Sequence, residues 1–264
     1  MPTTTTAIVQ RNVPQPTLVQ ETFDLPDLTP TQVLVKVEIS SLNPTDVLSF
    51  DGDAFGDGAV LGCDFAGTAE GVGSDVSRLK KGDKVAALIW GATVGSYAIQ
   101  LAALHGFNIV TTCSPRNTEV VKKNGAAHVF DYNDLDVVAK IMKAVPDLAY
   151  SLDCIGNATS STLCGQAIGD KKGVICTVRP GKANTENVPS HINIKDVLVF
   201  AAFLKPHVYK KVYHWETHYE DHALSKELYE SIPSMIENGK LIPQRPRSMG
   251  TLSVETLTVA MQLI

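Results

Sequence analysis

Leu88-Ile89-Trp90-Gly91-Ala92-Thr93-Val94-Gly95-Ser96-Tyr97-Ala98-Ile99-Gln100-Leu101-Ala102-Ala103-Leu104-His105-Gly106 reads as an apolar strand, a glycine turn and a charge-free helix. Ala98, Leu101, Ala102 and His105 recur at helical spacing, and Gly106 supplies the C-terminal stop. Phe107 to Val110 gives a second strand, which runs out into Thr111-Thr112-Cys113-Ser114-Pro115-Arg116-Asn117. Strand, glycine turn, helix and strand form the unit that places a pyrophosphate on a helix N-terminus. Gly91 and Gly95 enclose three residues, unlike the usual G-x-G-x-x-G, so the glycines alone leave a plain tight turn equally open. The end of the second strand separates the two readings. An NAD site calls for an acid about twenty residues past the fingerprint, where it holds the ribose 2′-hydroxyl. Here that place carries Ser114, Pro115, Arg116 and Asn117, and the first acid is Glu119. Hydroxyl, amide and guanidinium suit a 2′-phosphate, so the expected cofactor is NADPH.

Outward from this unit, α/β alternation continues towards the C-terminus. Strands are expected at Ala127 to Phe130, Leu148 to Leu152, Gly173 to Val178 and Val197 to Leu204, and helices at Val137 to Ala144 and Thr159 to Ile168. The pattern is that of a doubly wound parallel sheet. From about residue 218 it turns helical, with Leu224, Leu228, Ile232, Met235 and Ile236 expected on one face, and a final helix starts at Val254. Towards the N-terminus, residues 1 to about 87 read as β structure. Gln32 to Ser40 alternates, with Val33, Val35, Val37 and Ile39 facing one way.

The chain of 264 residues carries a net charge of −5, which gives no basic footprint for nucleic acid or an anionic membrane. Its longest apolar run, Val197 to Leu204, is too short to span a bilayer. Five cysteines form no C-x-x-C pair and are expected as buried thiols in a reducing compartment, so a soluble cytoplasmic protein is the default. No Gly-x-Ser-x-Gly elbow supports a serine hydrolase. His214, His218 and His222 would align on a helix as a metal-binding row, but a solvated connection beside Glu216, Glu220 and Asp221 accounts for them without a metal. Arg179 either lines the nicotinamide cleft or faces solvent, and Asp153 reads as a hydrogen-bonded acid at a strand end.

Several motifs occur together and in order. Asn43-Pro44-Thr45-Asp46, Leu61-Gly62-Cys63-Asp64-Phe65-Ala66-Gly67, Lys81-Gly82-Asp83-Lys84-Val85 and Gly95-Ser96-Tyr97-Ala98-Ile99-Gln100-Leu101-Ala102 resemble the medium-chain dehydrogenase/reductase superfamily. Cys113 to Asn117, Phe130-Asp131-Tyr132 and Leu152-Asp153-Cys154-Ile155-Gly156 resemble its fungal trans-acting enoyl reductases, which serve polyketide synthases. The resemblance implies a GroES-like β domain over 1–87, to which 218–264 returns, and a Rossmann domain over 88–217. It implies no metal, since the zinc-branch positions carry Asn43 and Cys63.

By the same resemblance, Pro44, Thr45, Asp46 and Val47 line the cofactor cleft, and Thr93, Val94 and Gly95 approach the pyrophosphate. Ser114, Pro115, Arg116 and Asn117 hold the 2′-phosphate, Tyr132 packs near the adenosine, and Phe200, Ala201, Ala202 and Phe203 approach an acyl pocket. No proton donor is named. The implied activity is NADPH-dependent reduction of an activated carbon–carbon double bond in an enoyl thioester or enone. Two alternatives stay open, a quinone oxidoreductase and a cofactor-binding protein without turnover. The second is raised by length, because Lys84 to Trp90 runs directly from the β domain into the first Rossmann strand where the family has several tens of residues. The chain also stops within a helix, so an internally and C-terminally shortened, incomplete β domain is expected.

Overall fold

A computed structural model of the chain describes residues 3–62, 64–87, 94–209, 212–244 and 246–263. It divides into two compact units, Met1–Ala92 with Pro246–Ile264, and Thr93–Arg245.

In the first unit β1 (Thr4–Asn12) and β2 (Pro16–Asp24) form an antiparallel hairpin, with Ile8 and Val9 buried. Arg11 reaches Glu21 at 2.7 Å and Asp57 at 2.9 Å; it holds the Glu21 carboxyl below its ordinary range, while the Asn12 N–H first, and Arg11 second, do the same for Asp57. A second antiparallel sheet joins β3 (Val33–Ser41), β4 (Asp64–Val72) and β5 (Lys84–Ala87). Gly67 is required here, because a Cβ on it would lie 2.1 Å from the Lys36 carbonyl oxygen. The register of β3 shifts at Leu34/Val35 and again at Val37/Ile39. The simple alternation expected for this strand is therefore interrupted, and Val37 and Ile39 stand 51% and 68% exposed.

The expectation of pure β structure up to residue 87 is corrected by α1 (Pro44–Asp51). Its start is written in the sequence: proline at the first helical position, and an acid two residues later that accepts the Asn43 backbone N–H at 2.7 Å. In the same unit α7 (Val254–Met261) begins at Ser253, whose hydroxyl accepts the Thr256 N–H, and it packs on β2.

The second unit starts with α2 (Val94–Leu104) and β6 (Val110–Cys113), followed by α3 (Thr118–Lys123) and β7 (His128–Asp131). Next come α4 (Val137–Ala144), β8 (Tyr150–Asp153), α5 (Ala158–Ile168), β9 (Val174–Thr177) and β10 (Asn193–Asp196). Among the described residues β6 pairs with β7 in parallel, and β8, β9 and β10 form a parallel sheet in the order β10-β9-β8. Parallel strands separated by helices are the alternation of a Rossmann half. Strand Leu88–Trp90 and the turn to Thr93 lie outside the described residues. Val137 and Ile141, one turn apart on α4, are buried with Ala167 of α5, while Ile168 and Ile175 are fully buried with Val188 and Ile192. Each such aliphatic side chain contributes about 1.5–3 kcal/mol on leaving water.

Four expectations change in this unit. The second strand runs over Val110–Cys113 and not Phe107 to Val110, because its parallel pairing with β7 starts at Val110. Val197 to Leu204 is not a sixth strand: the parallel pairing ends at Asp196, and Val199–Ala202 is a 3₁₀ turn closed by Ala201 N–H to Leu198 O at 2.9 Å. Turning there buries Leu198 and Ala201 and leaves Val197 and Leu204 about half exposed, which a continuous two-sided strand would not. A short hairpin of β11 (His207–Tyr209) and β12 (Tyr213–Trp215) follows, then α6 (Tyr219–Glu237).

The packed face of α6 carries His222, Ser225, Leu228, Ser231, Ile232 and Met235, whereas Leu224 is 68% exposed and Ile236 also faces outward. α6 belongs to the second unit, so the return to the first unit begins at Pro246 and not at 218. The reason is local: α6 lies against the 199–202 turn, and His222 Nδ1 meets the Ala202 carbonyl at 2.9 Å.

Candidate functional site

In a parallel sheet ligands bind beyond the carboxyl ends of the strands. Beyond β6, Ser114 is extended and caps a 3₁₀ turn of Pro115–Asn117, closed by Asn117 N–H to Ser114 O at 2.9 Å. The Asn117 amide donates to Ser114 Oγ at 3.2 Å, which leaves the serine's own O–H to donate elsewhere. Arg116 is exposed and, among the described residues, makes no hydrogen bond or ion pair. Glu119, the first acid, is exposed and held by Lys122 at 3.2 Å one turn along α3. The strand end thus presents a free guanidinium and a free hydroxyl without a competing carboxylate at 114–117. Tyr132 follows β7 and is 53% exposed.

Val94 and Gly95 open α2. A Cβ on Gly95 would sit 3.6 Å from Cys154 Sγ, so this end of the helix lies against the turn after β8. Asn124 Nδ2 donates to Ser96 Oγ at 2.8 Å, which ties α2 to the end of α3 as well. Thr93 lies outside the described residues.

The Asp153 carboxylate at the end of β8 is buried and fully engaged. It accepts N–H groups from Ile155 and Gly156 at 3.1 and 2.8 Å, and hydroxyls from Ser160 and Ser161 at 3.0 and 2.8 Å. This is a fastening of β8 to α5, in keeping with a hydrogen-bonded strand-end acid. Burial, and then the Asp153 charge, push the neighbouring Cys154 thiol up to about 11. Cys164 is likewise pushed up to about 11, mainly by burial.

In the first unit Pro44, Thr45, Asp46 and Val47 form the first turn of α1. Asp46 is buried with its carboxylate on the Asn43 N–H, and the Asn43 amide donates to Asp64 at 2.8 Å. The tetrad therefore builds a helix start and fastens it to β4. Cys63 lies outside the described residues.

Phe200, Ala201 and Ala202 lie in the 3₁₀ turn and Phe203 caps it. The Phe200 ring stands 6.3 Å from Phe203 and 3.9 Å from His207, whose pKa is lowered by burial and by Lys205. The three-histidine row does not form on a helix. His214 lies in β12, His218 caps α6 with Asp221 at 3.9 Å, and only His222 is helical. Among the described residues no group of three or more His, Cys, Asp or Glu is placed to hold a metal ion. No helix among them is long and apolar enough to cross a membrane.

Two arrangements escaped the sequence reading. Gln100, buried on α2, donates to the Ile242 carbonyl at 3.1 Å and accepts the Ile242 N–H at 2.7 Å. Gln244 adds its N–H to the Tyr97 hydroxyl at 3.2 Å and its amide to Ser96. A buried glutamine inside an otherwise apolar helix face was the available signal. The other is the seat of Arg179, which neither projects freely nor lies flat on solvent. Its Nε donates to the carbonyls of Ile155 and Gly156 at 3.1 and 3.3 Å.

Residues 29–111 match the alcohol dehydrogenase GroES-like domain, and residues 93–215 match the zinc-binding dehydrogenase domain. The chain is 30% identical to the trans-enoyl reductase fsa3 of Fusarium sp. (strain FN080326), over 236 positions covering 60% of this chain and 67% of that protein. That span is longer than the part of this chain it covers, so a long stretch of the relative has no counterpart here. Among solved structures, a mutant enoyl thioester reductase from Candida tropicalis superposes with TM-score 0.69 at 18% identity, covering 98% of this chain and 96% of the other. An Etr1p variant in complex with NADP and crotonyl-CoA gives TM-score 0.69 at 16% identity, over 97% and 95% of the two chains. With a GroES-like β unit, a Rossmann unit and these relatives, the chain belongs to the medium-chain dehydrogenase/reductase superfamily and is an oxidoreductase of its enoyl-reductase branch.

Proposed function

We propose that the chain binds NADPH and reduces the activated double bond of an enoyl thioester, with a polyketide synthase as the source of the acyl chain. One observation carries the cofactor reading. Arg116 and Ser114 stand at the carboxyl end of β6 with donors to spare and no acid among residues 114–117. Gly95 adds support, since it brings no side chain to the first turn of α2 where that turn meets Cys154, and a helix start suits a pyrophosphate. Val94 and Gly95 would hold the pyrophosphate, Ser114 to Asn117 the 2′-phosphate, and Tyr132 the adenosine side. Phe200 to Phe203 would take the acyl chain. When bound, NADPH supplies the hydride; the protein's share is to bind, orient and exclude water.

A titration of NADPH and NADH followed by fluorescence, with crotonyl-thioester reduction measured in parallel, tests this. NADPH should bind at least tenfold tighter than NADH, and equal affinity would refute the cofactor assignment. Turnover of 1,4-quinones with enoyl thioesters untouched would move the reading to a quinone oxidoreductase. A second reading, cofactor binding with little turnover, is favoured by the unmatched stretch of the relative. Positioning is worth roughly 7–11 kcal/mol of a barrier, so one absent cleft wall would cost orders of magnitude in rate.

A further inference from the structure

Arg179 follows β9, at the same edge of the second unit as the proposed pyrophosphate site. Its backbone N–H donates to Thr177 Oγ1 at 3.2 Å, and its Nε is shared by the Ile155 and Gly156 carbonyls. The seat is shaped for it. Gly156 has φ +67°, and a Cβ there would fall 2.2 Å from Arg179 Cγ and 3.1 Å from Nε. Asn184 also donates to the Gly156 carbonyl, at 2.8 Å, and fixes the turn from its other side. Among the described residues the two terminal amino groups of Arg179 make no hydrogen bond or ion pair. The guanidinium is therefore pinned through one nitrogen while its fork is left open, a geometry matched to two oxygens of one anion.

Its place along the sheet says which anion. The opening of α2 lies against Cys154, and its first turn is tied to Asn124. Arg116 follows β6, which pairs with β7. Arg179 follows β9, which pairs with β8, and it touches residues 155–156 immediately past Cys154. A dinucleotide laid across the strand ends, with its 2′-phosphate at Arg116 and its pyrophosphate at α2, brings its nicotinamide half to β8 and β9.

We propose that Arg179 grips the nicotinamide-side phosphate of the cofactor's pyrophosphate. It would act as a second anion anchor, separate from Arg116, and the inference rests on the NADPH reading above. The test compares Arg179→Gln with Arg116→Gln by calorimetric titration of three ligands. These are NADPH, 2′-phospho-ADP-ribose (both pyrophosphate phosphates without the nicotinamide ring) and 2′,5′-ADP (no nicotinamide-side phosphate).

Arg179→Gln should weaken the first two about tenfold or more and leave 2′,5′-ADP within twofold. The unchanged ligand also certifies that the turn has kept its fold. Arg116→Gln should weaken all three. Unchanged NADPH affinity in Arg179→Gln overturns the inference, and so does loss of NADPH alone, which would place Arg179 on the ring. If Arg179→Gln loses 2′,5′-ADP as well, Arg179→Lys decides. Retained affinity for 2′,5′-ADP with weakened 2′-phospho-ADP-ribose upholds the phosphate grip, and any other pattern rejects it. A wild type that binds none of the three ligands refutes the NADPH reading itself. A wild type that binds all three, with Arg179→Gln without effect, refutes only this inference.

Discussion

On the NADPH reading proposed above, the cofactor preference would rest on one side chain, Arg116. A guanidinium without a protein partner gains charge-assisted hydrogen bonds from a 2′-phosphate and little from a 2′-hydroxyl. Arg116→Glu should remove about 1.5–3 kcal/mol from NADPH binding, a tenfold to hundredfold loss, while NADH changes by less than threefold in the same fluorescence titration. At the same scale, the thiols of Cys154 and Cys164 are held protonated, each raised from an ordinary 9.0 to about 11, chiefly by burial. A raised thiol pKa is stabilising below pH 9, where folded and unfolded chains are both protonated. The contribution is lost as pH climbs from 9 towards 11 and the unfolded chain ionises first. Native protein at pH 8 should therefore alkylate at these two cysteines on the order of a hundredfold more slowly than urea-unfolded protein, measured by mass spectrometry of the labelled peptides.

Among the elements, those with a strong local signal were legible in the sequence. α4 matches its expected bounds because Val137 and Ile141 repeat at helical spacing over a polar face. α5 and α7 begin next to Asn157 and Ser253, residues that cap helices through short side chains. What failed needed tertiary information. The apolar run from Val197 has no periodicity to separate a strand from a turn, and only the end of pairing at Asp196 decides it. α1 was missed although its proline and Asp46 are a start signal, because it is a single eight-residue helix set among strands. The short polar turn at 114–117 was readable because its residues are contiguous; the seat of Arg179 was not, because Gly156 is distant in sequence.

The reciprocal cap of α5 gives a test at this scale. Asn157 Oδ1 accepts the Ser160 N–H at 2.8 Å, and the Ser160 hydroxyl accepts the Asn157 N–H at 3.1 Å. Asn157→Ala should lower stability by about 1 kcal/mol in urea unfolding, with the slope unchanged.

For the whole molecule, the exposed apolar residues matter more than any single contact. Val37 and Ile39 stand out on β3 of the first unit, at the register shift that breaks its alternation. Exposed β-branched residues on a strand favour association between chains. Val37→Thr with Ile39→Thr should raise the soluble fraction on expression and reduce binding of a hydrophobic dye. NADPH affinity should stay within twofold, and an unchanged soluble fraction would show that this strand does not drive association between chains.

The Gln100 clamp has a consequence of its own. The Ile242 amide belongs to neither helix nor strand, yet its N–H donates to a buried side chain from α2, with nitrogen and oxygen 2.7 Å apart. Placed in deuterated water, that amide should retain its proton as long as the interior amides of α2 do. Gln100→Ala should release it to exchange at the rate of an open loop. The isotope content of one peptide around Ile242 would then act as a clock for the undocking of α2, readable before any cofactor is added.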